Sequence, residues 1–158
     1  MNDRLLLISK GEDLFLDQTD GQETLAGATD VFRYIDSNFK NWGCDVPGRP
    51  TKETPVRVYE LATDSSFKEM FGGFELALAS LSLTQAQIKQ FVMRYPQWLK
   101  KGGNGTFFLT QIGSEFFIAA VYMFSDDRFG VRVRRFTLPR VFRAEKRHRL
   151  VSGKNRNH

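Results

Sequence analysis

The sequence predicts an α+β fold: an antiparallel sheet that includes a C-terminal three-stranded meander, packed by three to four helices. Three observations carry that expectation. Segments 106–111, 115–124 and 129–136 are rich in β-branched and aromatic residues and are separated by short polar connections, the pattern of consecutive antiparallel strands. Thr84-Gln85-Ala86-Gln87 is a capping box opening a run with apolar residues at helical spacing. Finally, 158 residues with 41% in the hydrophobic set are enough to fill one core. No composition shift marks a second domain, so residues 1–151 are read as a single domain and 152–158 as a disordered basic tail.

In chain order, the apolar runs 4–9 and 14–17, joined by Lys10-Gly11-Glu12, suit a β-hairpin. Val31, Phe32, Ile35 and Phe39 recur as one helical face, which predicts a helix near 26–40 closed by Gly43. Pro47, Gly48, Pro50 and Pro55 punctuate an exposed loop. Residues 56–61 are strand-like, and Asp64 is placed to cap a helix carrying Phe67, Met70, Phe71, Phe74, Leu78 and Leu81, weakened by Gly72-Gly73. The helix that follows the capping box buries Ile88, Phe91, Val92 and Tyr95 and is ended by Pro96.

In the middle strand of the meander Phe116, Ile118, Ala120 and Tyr122 alternate with Phe117, Ala119, Val121 and Met123. Both faces are apolar, so that strand belongs inside the sheet. The third strand alternates Phe129, Val131 and Val133 with Arg132 and Arg134, one buried face and one wet, and belongs nearer an edge. Thr137 and Pro139 then fit the start of a last helix, with Val141, Ala144, His148 and Val151 beneath a basic face.

Charge is divided along the chain. Residues 1–127 hold 12 Lys and Arg against 17 Asp and Glu, whereas residues 128–158 hold 11 basic residues, nine of them arginine, and one acid, Glu145. An acidic body with a strongly basic end points to an anionic partner. The predicted binding residues are Arg132, Arg134, Arg140, Arg143, Lys146, Arg147 and Arg149. Arginine's planar fork takes phosphate oxygens bidentately and stacks on bases, which favours nucleic acid, and RNA over DNA. A competing expectation is that these arginines merely neutralise carboxylates such as Glu60, Glu69 or Asp126. An acidic protein partner, or an anionic membrane under the basic helix, is also compatible with the pattern. A homodimer would be another way to cover the doubly apolar strand.

The sequence favours a non-catalytic role over an enzyme of unknown reaction, and no catalytic residue, metal ligand or cofactor is assigned. Glu145 and His148, three apart, would be neighbours on a helix, but one Glu-x-x-His lacks a second ligand set. Cys44 is the single cysteine and has no assigned His partner. The Gly-rich stretch 101–105 precedes a strand and lacks Gly-Lys-Ser/Thr, so it is no phosphate loop. The segment 17–23 has its glycine at the wrong position for a calcium loop, and no segment fits the RNA-recognition pattern of basic, Gly, aromatic, small, aromatic. Most of the 15 phenylalanines are expected in the core. With no apolar stretch of signal or membrane-span length, no transmembrane segment is expected, and with one cysteine the expected location is cytoplasmic.

Overall fold

The computed structural model describes residues 4–74, 76–102 and 104–153. Its strands are β1 (Leu5–Leu7), β2 (Phe15–Leu16), β3 (Phe32–Ile35), β4 (Thr54–Leu61), β5 (Thr106–Ile112), β6 (Glu115–Met123), β7 (Phe129–Arg135) and β8 (Arg149–Gly153). The helices are α1 (Asn38–Asn41), α2 (Phe67–Gly72), α3 (Leu78–Leu81) and α4 (Gln85–Arg94), and only α4 exceeds two turns. Among the described residues the strands form one sheet in the order β1-β4-β8-β5-β6-β7-β3, with β2 also paired to β4.

This corrects the expected architecture. The sheet is mixed, because β8 runs parallel to β5 and β3 runs parallel to β7. It also dominates the fold, with few and short helices. β5, β6 and β7 are antiparallel neighbours, yet they are not the end of the structure, because β8 follows them and inserts between β4 and β5.

Three local expectations fail for related reasons. Runs 4–9 and 14–17 do not pair with each other. β1 and β2 lie end to end along the same edge of β4, with the intervening turn, Gly11 at φ +84°, looped out. The 26–40 helix is replaced by edge strand β3 and the single turn α1. Val31-Phe32-Arg33-Tyr34-Ile35 consists largely of strand formers, and pairing to β7 decides between two readings that local spacing leaves close. Asp36 fixes that outcome: its carboxylate accepts from the amides of Asn38 (3.0 Å) and Val133 (3.2 Å), starting α1 and tying it to β7. The last predicted helix is absent. Residues 136–148 cross the sheet as an irregular segment with one 3-10 turn, Ala144–Lys146, ended by Arg147 in the left-handed region at φ +51°. The 149–153 run then becomes β8, with Leu150 and Val151 buried on opposite sides of the sheet.

Other elements form as their residues dictate. α4 is opened by the capping box, with Thr84 Oγ1 accepting from the Gln87 amide (3.2 Å) and Gln87 Oε1 accepting from the Thr84 amide (2.9 Å). α2 is capped by Ser66 and Glu69 rather than by Asp64. The Asp64 carboxylate instead accepts from the Ala144 amide at 2.7 Å and anchors the crossing segment. β6 lies inside the sheet with both faces covered, as its double apolar pattern predicts. Of the expected tail 152–158, Ser152 and Gly153 belong to β8 and are buried, and the rest lies outside the described residues.

The core has two layers, one on each face of the sheet. On one face Phe108, Phe117, Ala119, Val121, Val131 and Val133 pack beneath Phe39 of α1 and Ile88, Phe91 and Val92 of α4. On the other, Phe107, Leu109, Ile118, Ala120 and Leu150 pack beneath Phe67, Met70 and Phe71 of α2 and beneath Phe142 of the crossing segment.

Gln85 joins the long loop to this body. Its buried amide nitrogen donates to the carbonyls of Cys44 (2.7 Å) and Val46 (3.2 Å), and its oxygen accepts from the Leu25 amide (2.9 Å). Gln85→Ala strands those buried groups and is expected to cost about 1–3 kcal/mol in denaturant unfolding. Gly21, at φ +77°, lies so close to the Arg49 carbonyl that a Cβ would overlap it. Gly21→Ala is therefore expected to lower the free energy of unfolding by more than about 1 kcal/mol in denaturant titration.

Candidate functional site

Register alone brings together a basic, aromatic surface. Tyr122 pairs with Gly130, Ala120 with Arg132 and Ile118 with Arg134, so Tyr122, Arg132 and Arg134 share the face of β6 and β7 that carries the second core layer. Tyr34 of β3 is registered beside Gly130. Beyond β7 the chain turns back over this face. Phe136, Leu138 and Phe142 are packed into the layer, which leaves Arg140, Lys146 and His148 along the opposite wall. An open groove of about 910 Å³ lies between the walls.

Five cations line it: Arg33, Arg132, Arg134, Arg140 and Lys146. One carboxylate, Asp126, also lies on the rim, and it is paired with Arg128 at 3.4 Å. Among the described residues none of the five cations forms an ion pair. Rings position two of them instead. The Arg132 guanidinium lies 5.7 Å from the Tyr34 ring centroid and 5.6 Å from that of Tyr122, and Arg140 lies 4.8 Å from that of Phe142. A cation–π contact contributes roughly 0.5–1 kcal/mol at an exposed site and, unlike a carboxylate, leaves the positive charge unneutralised. The groove keeps its field.

Two rings on the rim are exposed: Tyr34 at 46% and Phe124 at 39%. Phe124 begins the β6–β7 turn, its amide donating to the Arg128 carbonyl at 2.8 Å, with Asp127 at φ +64°. Its ring lies over Gly130, where a Cβ would come within 2.9 Å of Phe124 Cζ. The absent side chain makes room for the ring.

His148 closes the inner wall. Its ring is stacked on Phe107 at 4.9 Å and 22°, meets Phe142 edge-on at 5.4 Å, and its Nδ1 is 3.3 Å from the Gly105 carbonyl. Burial pushes its pKa below the usual 6.5, and the neighbouring charges of Arg140, Lys100 and Lys146 push the same way, against the Gly105 hydrogen bond. The helical adjacency of Glu145 and His148 that their spacing allowed does not arise, because the segment forms only a single 3-10 turn, Ala144–Lys146. Among the described residues no three His, Cys, Asp or Glu side chains are grouped to hold a metal ion.

The predicted binding residues therefore divide. Arg132, Arg134, Arg140 and Lys146 meet in the groove, whereas exposed Arg143 and Arg147 do not line it. Arg149 points to the other side of the sheet, donating to the Trp98 carbonyl at 2.9 Å, and its buried Nε has no hydrogen-bond partner. Two of the three neutralising carboxylates considered above are engaged elsewhere: Glu69 pairs with Arg4 at 3.2 Å and Asp126 with Arg128. Sequence reasoning missed Arg33, Tyr34, Tyr122, Phe124 and His148 as groove residues. The period-2 signal in β6 places Tyr122 opposite the β7 arginine face, but Arg33 and Tyr34 were hidden by a helix assignment. Cys44 is fully buried, and burial pushes its thiol up, aided by Glu115 and opposed by Arg135, so it is no exposed nucleophile.

No family model, curated protein or solved structure matches this chain. No helix among the described residues is long and apolar enough to cross a membrane.

The histidine supplies a direct check on the groove's electrostatics. In an NMR titration His148 is expected to have its midpoint below 6.5, and Arg140→Ala is expected to move it upward by removing a neighbouring charge. Because the unfolded chain takes up this proton more readily, the contribution to stability is complete above about pH 6.5 and is lost as pH falls through the folded-state value. A melting temperature insensitive to pH on the acid side would contradict that assignment.

Proposed function

We propose that this protein is a non-catalytic nucleic-acid-binding protein, with RNA preferred to DNA, whose contact surface is the groove between β7 and the crossing segment. One observation carries the reading: five cations converge on one groove with no carboxylate partner among the described residues. Clustered, uncompensated charge of this sort is costly to assemble and gains its return only when an anion releases its counterions on binding. Four of the five cations are arginines, suited to bidentate phosphate contact. The basic tract carries the argument only in part, since Arg149 is turned away and Arg143 and Arg147 lie outside the groove.

The test is binding of a fluorescently labelled mixed-sequence RNA, followed by anisotropy across salt concentrations. If about four phosphates are neutralised, affinity is expected to fall roughly fiftyfold between about 50 and 200 mM salt, with DNA of the same sequence bound more weakly. R132E/R140E/K146E is expected to lower affinity by more than about a hundredfold, while R143E/R147E, which also reverses the charge of basic residues of the C-terminal tract, changes it by less than about fivefold. Equal losses in the two variants would remove the groove from the reading. An absence of binding at low salt would remove the reading itself.

A further inference from the structure

From the placement of the rings we infer that the groove takes single-stranded rather than duplex nucleic acid, with unpaired bases stacked on Tyr34 and Phe124 and their phosphates held by the surrounding cations. This inference rests on the nucleic-acid reading above and names the form of the ligand.

Gly130 is the geometric centre of the platform. A Cβ built there would lie within 2.9 Å of Phe124 Cζ and 3.5 Å of Tyr34 Cβ, so the two side chains meet over the buried glycine. Tyr122 is registered directly opposite Gly130, and Arg132 lies between the rings of Tyr34 and Tyr122. The result is a cluster of rings and a guanidinium whose exposed faces accept the flat face of a base. Aromatic rings are mostly buried in this chain, and among the described residues Tyr34 and Phe124 are the exposed ones.

Phosphate contacts alone do not call for this surface. In a duplex the base faces are stacked on each other, so a duplex would use the cations and leave the rings wet. A single strand uses both. An acidic peptide would likewise leave the rings unmatched. A lone nucleotide would satisfy only part of the groove, because its cations come from three stretches of chain: Arg33 on β3, Arg132 and Arg134 on β7, and Arg140 and Lys146 on the crossing segment. The volume of about 910 Å³ is near the top of the roughly 300–1,000 Å³ span of small-molecule pockets, and the groove is open, so a strand can run through it.

The experiment compares labelled oligouridine of about eight nucleotides, an abasic strand of equal length and charge, an RNA duplex of equal length, and uridine monophosphate as competitor. The intact single strand is expected to bind at least about tenfold more tightly than the abasic strand and the duplex, with the monophosphate a poor competitor. Y34A/F124A is expected to remove about tenfold or more of the oligouridine affinity while lowering abasic binding by no more than about threefold, the loss of one cation–π contact, and Y34F is expected to bind as the parent does. Both rings are partly exposed, and the thermal midpoint of each variant verifies that the fold is retained.

Equal affinity for intact and abasic strands overturns base stacking while nucleic-acid binding stands. Equal affinity for duplex, or efficient competition by the monophosphate, overturns the single-strand assignment. Failure of every strand to bind at low salt, or displacement of RNA by polyglutamate at equal charge concentration, overturns the underlying reading as well.

Discussion

The insertion of β8 between β4 and β5 is the constraint from which the rest of the molecule follows. Without it the strands fall into two groups, β1, β2 and β4 on one side and β5, β6, β7 and β3 on the other, and β8 is the strand that pairs with both. β7 and β8 are both parallel to β5 and two strands separate β7 from the slot, so the chain must leave the sheet at Arg135, cross β6 and β5, and re-enter at Arg149. A crossover between parallel strands commonly carries a helix. This one is an irregular segment held by Phe142, which packs on Phe67 at 4.8 Å and Phe107 at 5.1 Å, by backbone hydrogen bonds exchanged between Phe142 and Ser65, and by the Asp64 carboxylate accepting from the Ala144 amide. Because the crossing covers β6 and β5 and leaves the arginine face of β7 uncovered, topology produces the groove as well as the core.

The arginines show how the same side chain acquires different roles from its position. On β7, residues 132 and 134 point to the face that the crossing segment leaves open, and the charge of Arg132 is held near rings rather than near a carboxylate. On β8, Arg149 faces the first core layer and is absorbed by the Trp98 carbonyl. Arg135, one residue beyond Arg134 and so on the reverse face, pairs with Glu115 at 3.0 Å and lies 4.5 Å from the Trp42 ring centroid. A count of arginines cannot distinguish these cases. The distinction lies in strand parity and in which face the next segment covers.

Parity and local capping were legible in the sequence, and pairing partners were not. The capping box of α4 is local chemistry and forms as read, and the double apolar alternation of β6 requires an interior position in almost any sheet. The failures occur at β3, at the β1–β2 edge and at β8, where a short segment has two compatible periods and distant strands choose between them. Val141, Ala144, His148 and Val151 do share helical spacing, but a helix through 149–153 would leave β4 and β5 without their common neighbour. The hydrogen bonds of that slot, made to strands some 40 and 90 positions earlier, outweigh a local preference worth only tenths of a kcal/mol per residue. The candidate site inherits both outcomes: Arg132, Arg134 and Tyr122 could be placed by alternation, while Arg33 and Tyr34 reach the groove only through the parallel pairing of β3 with β7.

That dependence also couples the groove to the completion of the fold. One wall consists of β3 and β7, which are paired with each other and anchored through Asp36. The other consists of a segment with little regular structure of its own, whose two ends are fixed by β7 and by the docking of β8. Loop-closure entropy must be met before β8 gains its pairings, since its partners are far away in sequence. The inner wall, with Arg140, Lys146 and His148, therefore takes shape only as β8 docks, whereas the outer wall can form from β6, β7 and β3 without it. An anion bridging Arg132 on one wall and Arg140 on the other would favour the docked arrangement over any with β8 released, by the ordinary linkage between binding and folding. The cationic walls repel each other in the free protein, and the apolar contacts of Phe142 and Leu150 hold them together against that repulsion.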